Sequence, residues 1–384
     1  MKKERIMFFL NILIIIGITG GIVNLTPILG ANAGTFGEKV LTAISSDEEN
    51  QTKKSENSSE KSEKTEHNST TASSESKEVM NRISGKDSDP YSDITETPDD
   101  IAKLMEQAEK TIKSEKKKGK TSEEDYQGGG TIVSFGSLAI QSKIPSSFYD
   151  LDMEELLKQK AELSIPDASK PTVLVYHSHT TEGYTLLDVG YYTKSTDLRS
   201  DDLGQNMVRV GDELCEYLEK FGIGVIHDRT IHDENYSGAY DSSRKTVAKY
   251  LEKYPSIEIT IDVHRDDITY DNLTKVKPTA KIDGKKAARM MIIAGCEYNS
   301  VKNFPDWEYN LRFDLAVQNK VEEMYPGLMR PVLFSERKYN MDMTRNSFLL
   351  EVGTDGNTLD EACYSARLFA TSLAELILSE YVEK

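Results

Sequence analysis

The chain is poor in cysteine, in net positive charge and, over one long stretch, in apolar residues, and each shortage excludes something. Cys215, Cys296 and Cys363 are its three cysteines, an odd number with no C-x-x-C pair. Neither a disulfide framework nor a cysteine zinc site is indicated. Cys215 and Cys363 fall within helix-like patterns and read as buried thiols, because a free cysteine behaves as a small hydrophobe. The 47 Lys and Arg against 64 Asp and Glu leave a formal charge of -17. Nucleic acid requires a basic face, so it is excluded as a partner. Between Ser46 and Lys77 the only apolar residue is Ala72. Such a segment cannot bury enough surface to offset its chain entropy, and it reads as a disordered tether.

The N-terminus has the opposite composition. Lys2, Lys3 and Arg5 precede Met7 to Gly30, a run without a charged residue. Its length matches the ~20 apolar residues that span a bilayer, and the leading positive charge sets the N-terminus on the cytoplasmic side. A signal peptide cut after Ala33, in "ANA", is the competing reading. The run is longer than the usual apolar core of a signal peptide, which favours an uncleaved anchor over residues 1–33. A low-complexity linker follows over 34–130. Within it Thr97 as cap, Pro98 at the first helical position and Asp99 and Asp100 in the first turn predict a helix over 98–113, with Ile101, Leu104, Met105, Ala108 and Ile112 on one face. A helix this short is marginal alone, so it either docks on a partner or is a lightly structured part of the linker.

A globular domain is expected over 131–384. From Pro171 the pattern alternates strand and helix, which predicts an α/β domain with a mixed or parallel sheet flanked by helices. Strands are read at "TVLVYH", "IGVIH", "IEITIDVH", "ARMMIIAG" and "SFLLEVG", and helices around Leu203 to Leu218, through Val247 to Tyr254, at Trp307 to Met324 and around Ala366 to Ile377. Ligand sites in open α/β sheets gather at the carboxyl ends of strands. His177, His179, His264 and Glu351 all occupy such ends, and Glu182 follows within one loop. If the first strand continues, His177 and His179 face the same way. His179, His264 and a carboxylate have the composition of a three-ligand zinc site with its fourth position open. Asp262 shares a strand face with His264, either to fix its tautomer or as a solvated edge residue. Glu351 interrupts a buried-looking strand, which suits a general base of raised pKa or a salt bridge with Arg345.

Three motifs, "VLVYHSHTTEGY", "IDVHRD" and "FLLEVGTDGN", resemble the stage II sporulation protein P family, whose layout is similar to zinc-dependent N-acetylmuramoyl-L-alanine amidases. The resemblance covers about 171–384. It implies zinc ligands at His179 and His264 and a catalytic acid at Glu351. In the broader amidase pattern a glutamate ligand precedes the first helix, where this chain reads "TDLRSDDLGQN". Glu182 takes the role, or Asp201 or Asp202 does, and His177 is an alternative ligand, a hydrogen-bonding support for the ligands or purely structural. The implied function is a membrane-anchored, zinc-dependent peptidoglycan hydrolase that cuts the amide between N-acetylmuramic acid and L-alanine. Endopeptidase action on stem-peptide crosslinks is also implied. Such an enzyme would act at the sporulation septum during forespore engulfment, with its catalytic domain outside the cytoplasm, alongside stage II sporulation proteins D and M. The alternatives are an inactive wall-binding scaffold and a zinc hydrolase of another peptidoglycan amide. No role is read for His67, His227 or His232.

Overall fold

The computed structural model describes residues 89–383 except 127 and 197. The apolar run at 7–30, the cleavage alternative after Ala33 and the tether at 46–77 lie outside the described residues. Among those that are described, no helix is long and apolar enough to cross a membrane.

In chain order the elements are α1 (Asp99–Ile112), β1 (Lys117–Ser122), β2 (Thr131–Phe135), β3 (Leu138–Ser142), α2 (Met153–Lys158), β4 (Pro171–Tyr176), β5 (Tyr191–Thr193), α3 (Met207–Lys220) and β6 (Gly224–His227). There follow α4 (Ala239–Lys253), β7 (Ile259–Asp266), β8 (Thr274–Val276), β9 (Thr279–Ile282), β10 (Lys285–Ala288), β11 (Met290–Gly295), α5 (Trp307–Met324), β12 (Val332–Ser335), β13 (Asn346–Thr354) and α6 (Leu359–Glu380). Eight strands form one mixed sheet in the order β2-β3-β12-β11-β13-β7-β4-β6. Its central strands, β13, β7 and β4, are mutually parallel, whereas β11 runs antiparallel to β13. Burial on both faces accounts for the unbroken apolar reading of "TVLVY" and "SFLL".

Helices α3, α5 and α6 cover one face. Leu214, Leu218, Leu311, Leu315, Phe369 and Leu373 join Val175, Ile261 and Leu350 of the sheet in the main core. Each such side chain contributes about 1.5–3 kcal/mol on burial. On the opposite face Val247 of α4 packs with Leu174, Tyr176 and Ile257. Helix α6 is buried on all sides from Ala362 to Leu378. A full capping box starts it: Thr358 accepts from Glu361 N, and Glu361 reaches back to Thr358 N.

Residues 89–122, read from sequence as linker, belong to the folded part. Ile101 of α1 is fully buried in the core with Ile94, Asp100 pairs with Arg209 at 2.7 Å, and Tyr217 donates to Asp93 at 2.6 Å. The amphipathic face of α1 therefore docks within its own chain. The helix begins at Asp99 without a side-chain cap, because Pro98 rather than Thr97 occupies the N-cap position and has no side-chain acceptor to offer; Thr97 Oγ1 accepts from Lys285 Nζ. Strand β1, "KKGKTS", lies between β5 and β8 in a small three-stranded sheet. The thiols of Cys215, Cys296 and Cys363 are free and buried.

Candidate metal centre

Sheet register builds the site. The parallel pairing of β13 and β7 sets Glu351 beside His264, and the pairing of β4 and β7 sets Tyr176 beside Asp262. Strand β4 ends at Tyr176, so the alternation that would align His177 with His179 stops there. The next residues turn: Thr180 Oγ1 donates to His177 O at 2.8 Å and Glu182 N to His179 O at 3.1 Å. The two histidines consequently diverge.

His177 turns towards α3 and β6. Its Nδ1 donates to Val263 O at 3.0 Å, and its Nε2 meets His227 Nε2 at 2.9 Å. With both ring nitrogens committed, His177 is not placed as a ligand, contrary to one sequence alternative. Burial, then the neighbouring His227, pushes its pKa well below the ordinary value. His227 continues the chain to Asp212, 3.1 Å from its Nδ1. His232 donates from Nδ1 to His177 O at 3.1 Å, and its Nε2 meets Thr246 Oγ1 at 3.1 Å. His227 braces the His177 ring and His232 the backbone of the turn, uses that sequence spacing did not reveal.

His179 points the other way, its ring perpendicular to that of His264 with centroids 5.3 Å apart. Tyr236 stacks on it at 4.4 Å and Tyr240 meets it edge-on at 5.4 Å. Its Nδ1 is buried and has no hydrogen-bond partner. Burial, then the proximity of His264, lowers its pKa from 6.5 to about 4. A neutral imidazole with a free nitrogen is the form that ligates a metal.

His264 is held from behind. Its Nε2 lies 2.8 Å from both Asp262 Oδ1 and Ser178 Oγ, and Ser178 also donates its hydroxyl and backbone N–H to the Asp262 carboxylate. Asp262 is thus a fully buried support rather than a solvated edge residue. Nδ1 is left facing Glu182 Oε2 at 3.5 Å. Burial disfavours the imidazolium, but Asp262 and Glu182 outweigh it and hold the pKa well above the usual value. Glu182 mirrors this: burial raises its pKa, yet Arg265, then His264 and His179, bring it down to about 2. Arg265 N donates to Glu182 Oε2, and Arg199 lies 3.7 Å from Oε1 while also bonding Asp233 at 3.0 Å.

Glu351 lies nine-tenths buried beside this group, with Oε2 unpartnered. Burial, and then the Asp266 carboxylate, pushes its pKa well above the usual range, against the opposing pull of His264. The salt bridge to Arg345 weighed from sequence is absent, because Arg345 pairs with Glu162 at 2.8 Å and Asp306 at 3.3 Å. Asp201 and Asp202 are exposed, and Asp202 serves its own loop through Gly204 N and Gln205 Nε2.

Among the described residues no three His, Cys, Asp or Glu side chains form a ready-made metal cluster. The donor chemistry nonetheless fits zinc. Two ligands about 2.0–2.1 Å from a tetrahedral ion lie about 3.3 Å apart, close to the 3.5 Å between His264 Nδ1 and Glu182 Oε2. A cation between them would replace the proton on His264 Nδ1, and the orphaned His179 Nδ1 would be a third donor. Sequence reasoning overlooked Ser178, Arg199, Asp233, Arg265, Tyr236 and Tyr240. Only Ser178 and Arg265 adjoin motif histidines, which was the one available signal.

A family model described as stage II sporulation protein P matches residues 27–374. Stage II sporulation protein P of Bacillus subtilis strain 168 is 30% identical over 256 residues, which cover 61% of this chain and 60% of that relative's length. Among solved structures, N-acetylmuramoyl-L-alanine amidase AmiC2 of Nostoc punctiforme is 11% identical, covering 55% of this chain and 97% of its own at a TM-score of 0.33. An N-acetylmuramoyl-L-alanine amidase from Clostridium difficile 630 is 14% identical, covering 55% and 96% at a TM-score of 0.32. With the family model spanning most of its length, the chain belongs to the stage II sporulation protein P family.

Proposed function

We propose that the chain is a zinc-dependent peptidoglycan hydrolase that cleaves the amide between N-acetylmuramic acid and L-alanine. One observation carries the reading: the free Nδ1 of His179, the paired Glu182 and His264, and the unpartnered carboxylate of Glu351 collect at the carboxyl ends of β4, β7 and β13. His179, Glu182 and His264 would hold the metal. Bound zinc supplies Lewis acidity towards a carbonyl and a water.

The remaining chemistry falls to side chains. Glu351 Oε2 accepts the proton of the attacking water and returns it to the departing amide nitrogen, a role suited to a buried carboxylate of raised pKa. Asp262 and Ser178 fix the His264 tautomer, and Arg265 with Arg199 keeps Glu182 ionised and in place. Family membership supports work in sporulation. Septal wall degradation during engulfment, endopeptidase action on crosslinks, anchoring by Met7 to Gly30 with the domain outside the cytoplasm, and assembly with stage II sporulation proteins D and M are parts of the same proposal.

Digestion of purified wall tests it. Amidase action exposes new N-terminal alanine and leaves glycan strands intact, whereas a deacetylase releases acetate and a scaffold releases nothing. Glu351→Gln should lower the rate by roughly 10² to 10⁴-fold with zinc content and melting temperature retained. Zinc loss in that variant would make Glu351 a ligand, and retained turnover would remove it from the chemistry.

A further inference from the structure

The two histidines of the candidate centre are oriented in different ways. His264 is gripped at Nε2 by Asp262 and Ser178, each at 2.8 Å, the usual device for fixing a metal-ligating ring. His179 has nothing comparable at Nδ1, which is buried and without a hydrogen-bond partner. Torsion about the bond to an imidazole is broad and roughly two-fold, so a side-chain rotamer alone does not fix the ring.

Aromatic packing does. Tyr236 lies flat on His179, the planes 15° apart and the centroids 4.4 Å, and Tyr240 meets it edge-on at 81° and 5.4 Å. A 3-10 turn, Tyr236–Gly238, runs directly into α4, and the i, i+4 spacing of the two tyrosines along it sets both rings on one side. This stretch is tied to the turn that carries His179. Asp233, just before it, accepts from Thr181 N at 3.2 Å, from Thr181 Oγ1 at 2.6 Å and from Arg199 Nη1 at 3.0 Å. Arg199 also extends over the Tyr236 ring, 4.9 Å from its centroid, and lies 3.7 Å from Glu182 Oε1. One guanidinium therefore reaches a second proposed ligand and the ring that backs the first.

We propose that Tyr236 is a positioning residue for metal binding: its ring holds the His179 imidazole in the plane that presents Nδ1 to the ion, and Arg199 links this ring to Glu182. Stacked rings resist rotation of either partner, because turning out of parallel loses contact area and the alignment of their quadrupoles. The inference rests on the zinc reading of the centre, and it adds a residue that acts through His179 rather than on the reacting atoms.

Zinc affinity of the full chain, measured per folded chain in competition with a chelator, tests it. Tyr236→Leu should weaken binding about threefold to tenfold, the worth of one aromatic pair, and Tyr236→Phe, which keeps the stacked ring, should restore it. Turnover on purified wall should recover in Tyr236→Leu when zinc is raised to saturation. In the metal-free chain the His179 Cε1 proton, assigned by its loss in His179→Gln, should be shielded in the parent and in Tyr236→Phe, and should move downfield in Tyr236→Leu. Parental affinity in Tyr236→Leu, equal weakening in Tyr236→Phe, or a His179 signal indifferent to Tyr236→Leu would each overturn the proposal. So would a lowered melting temperature in Tyr236→Leu with zinc affinity unchanged, which is the mark of a purely structural ring. A parent chain that takes up no zinc overturns the zinc reading, and if the His179 signal still responds, the fault lies in that reading and not in the stack.

Discussion

Gly211, in the middle of α3, is where helix propensity and packing make opposite demands. Alanine there should stabilise an α-helix by about 1 kcal/mol over glycine. A methyl at this position, however, would stand 2.6 Å from His227 Nε2 and 2.7 Å from His177 Nε2. Neither ring can retreat freely, because His177 is bonded to Val263 O and His227 to Asp212. Overpacking a fixed site costs about 1–3 kcal/mol, and separating the two rings leaves buried nitrogens unpaired at about 1–3 kcal/mol more. The packing terms win, and Gly211→Ala should destabilise by about 1–5 kcal/mol net. Trp307, the single tryptophan, is buried and stacked edge-on against Tyr149, so its fluorescence reports unfolding in urea. The midpoint should fall without a change in slope. A midpoint that is unchanged or higher, as propensity alone gives, would refute the packing of this histidine chain.

The metal-free protein should show a pH signature of His179. Its pKa is depressed from 6.5 to about 4, so between those values the unfolded chain binds more protons than the fold. The contribution, about 3 kcal/mol, is therefore present above pH 6.5 and lost as pH falls through 4. His264, shifted the other way, contributes below 6.5 and loses its share only as pH rises. The stability difference between parent and His179→Gln should accordingly change between pH 6.5 and 4, and a constant difference would contradict the burial of a neutral imidazole. Asp262→Asn removes the charge behind His264 and should cost 10- to 100-fold in metal affinity or activity. Parental affinity and turnover would return Asp262 to a purely structural role.

The strand ends were readable because apolar runs such as "TVLVY" stop abruptly at polar residues, and Glu351 stood out as an acid within one. The orientation of His177 was not, since it depends on β4 ending one residue earlier, at Tyr176, and on an acceptor supplied by Val263, far along the chain. Docking of α1 was hidden for a similar reason: Arg209, Tyr217 and Arg367, which hold the 93–100 segment, lie more than a hundred residues away. Strand β1 has no apolar alternation and is defined by its neighbours. Tyr236 and Tyr240 carry no motif, and only the fold brings their rings to His179.

Calorimetric titration of zinc into the metal-free chain addresses the centre most directly. Asp262 and Glu182 favour the protonated form of His264, whose Nδ1 faces Glu182 Oε2 and must give up its proton to bind a cation. The account therefore predicts stoichiometric uptake whose heat varies with the ionisation enthalpy of the buffer, together with a raised melting temperature, and both are lost in His264→Ala. Parental zinc uptake by His264→Ala, or no uptake by the parent chain, would contradict it.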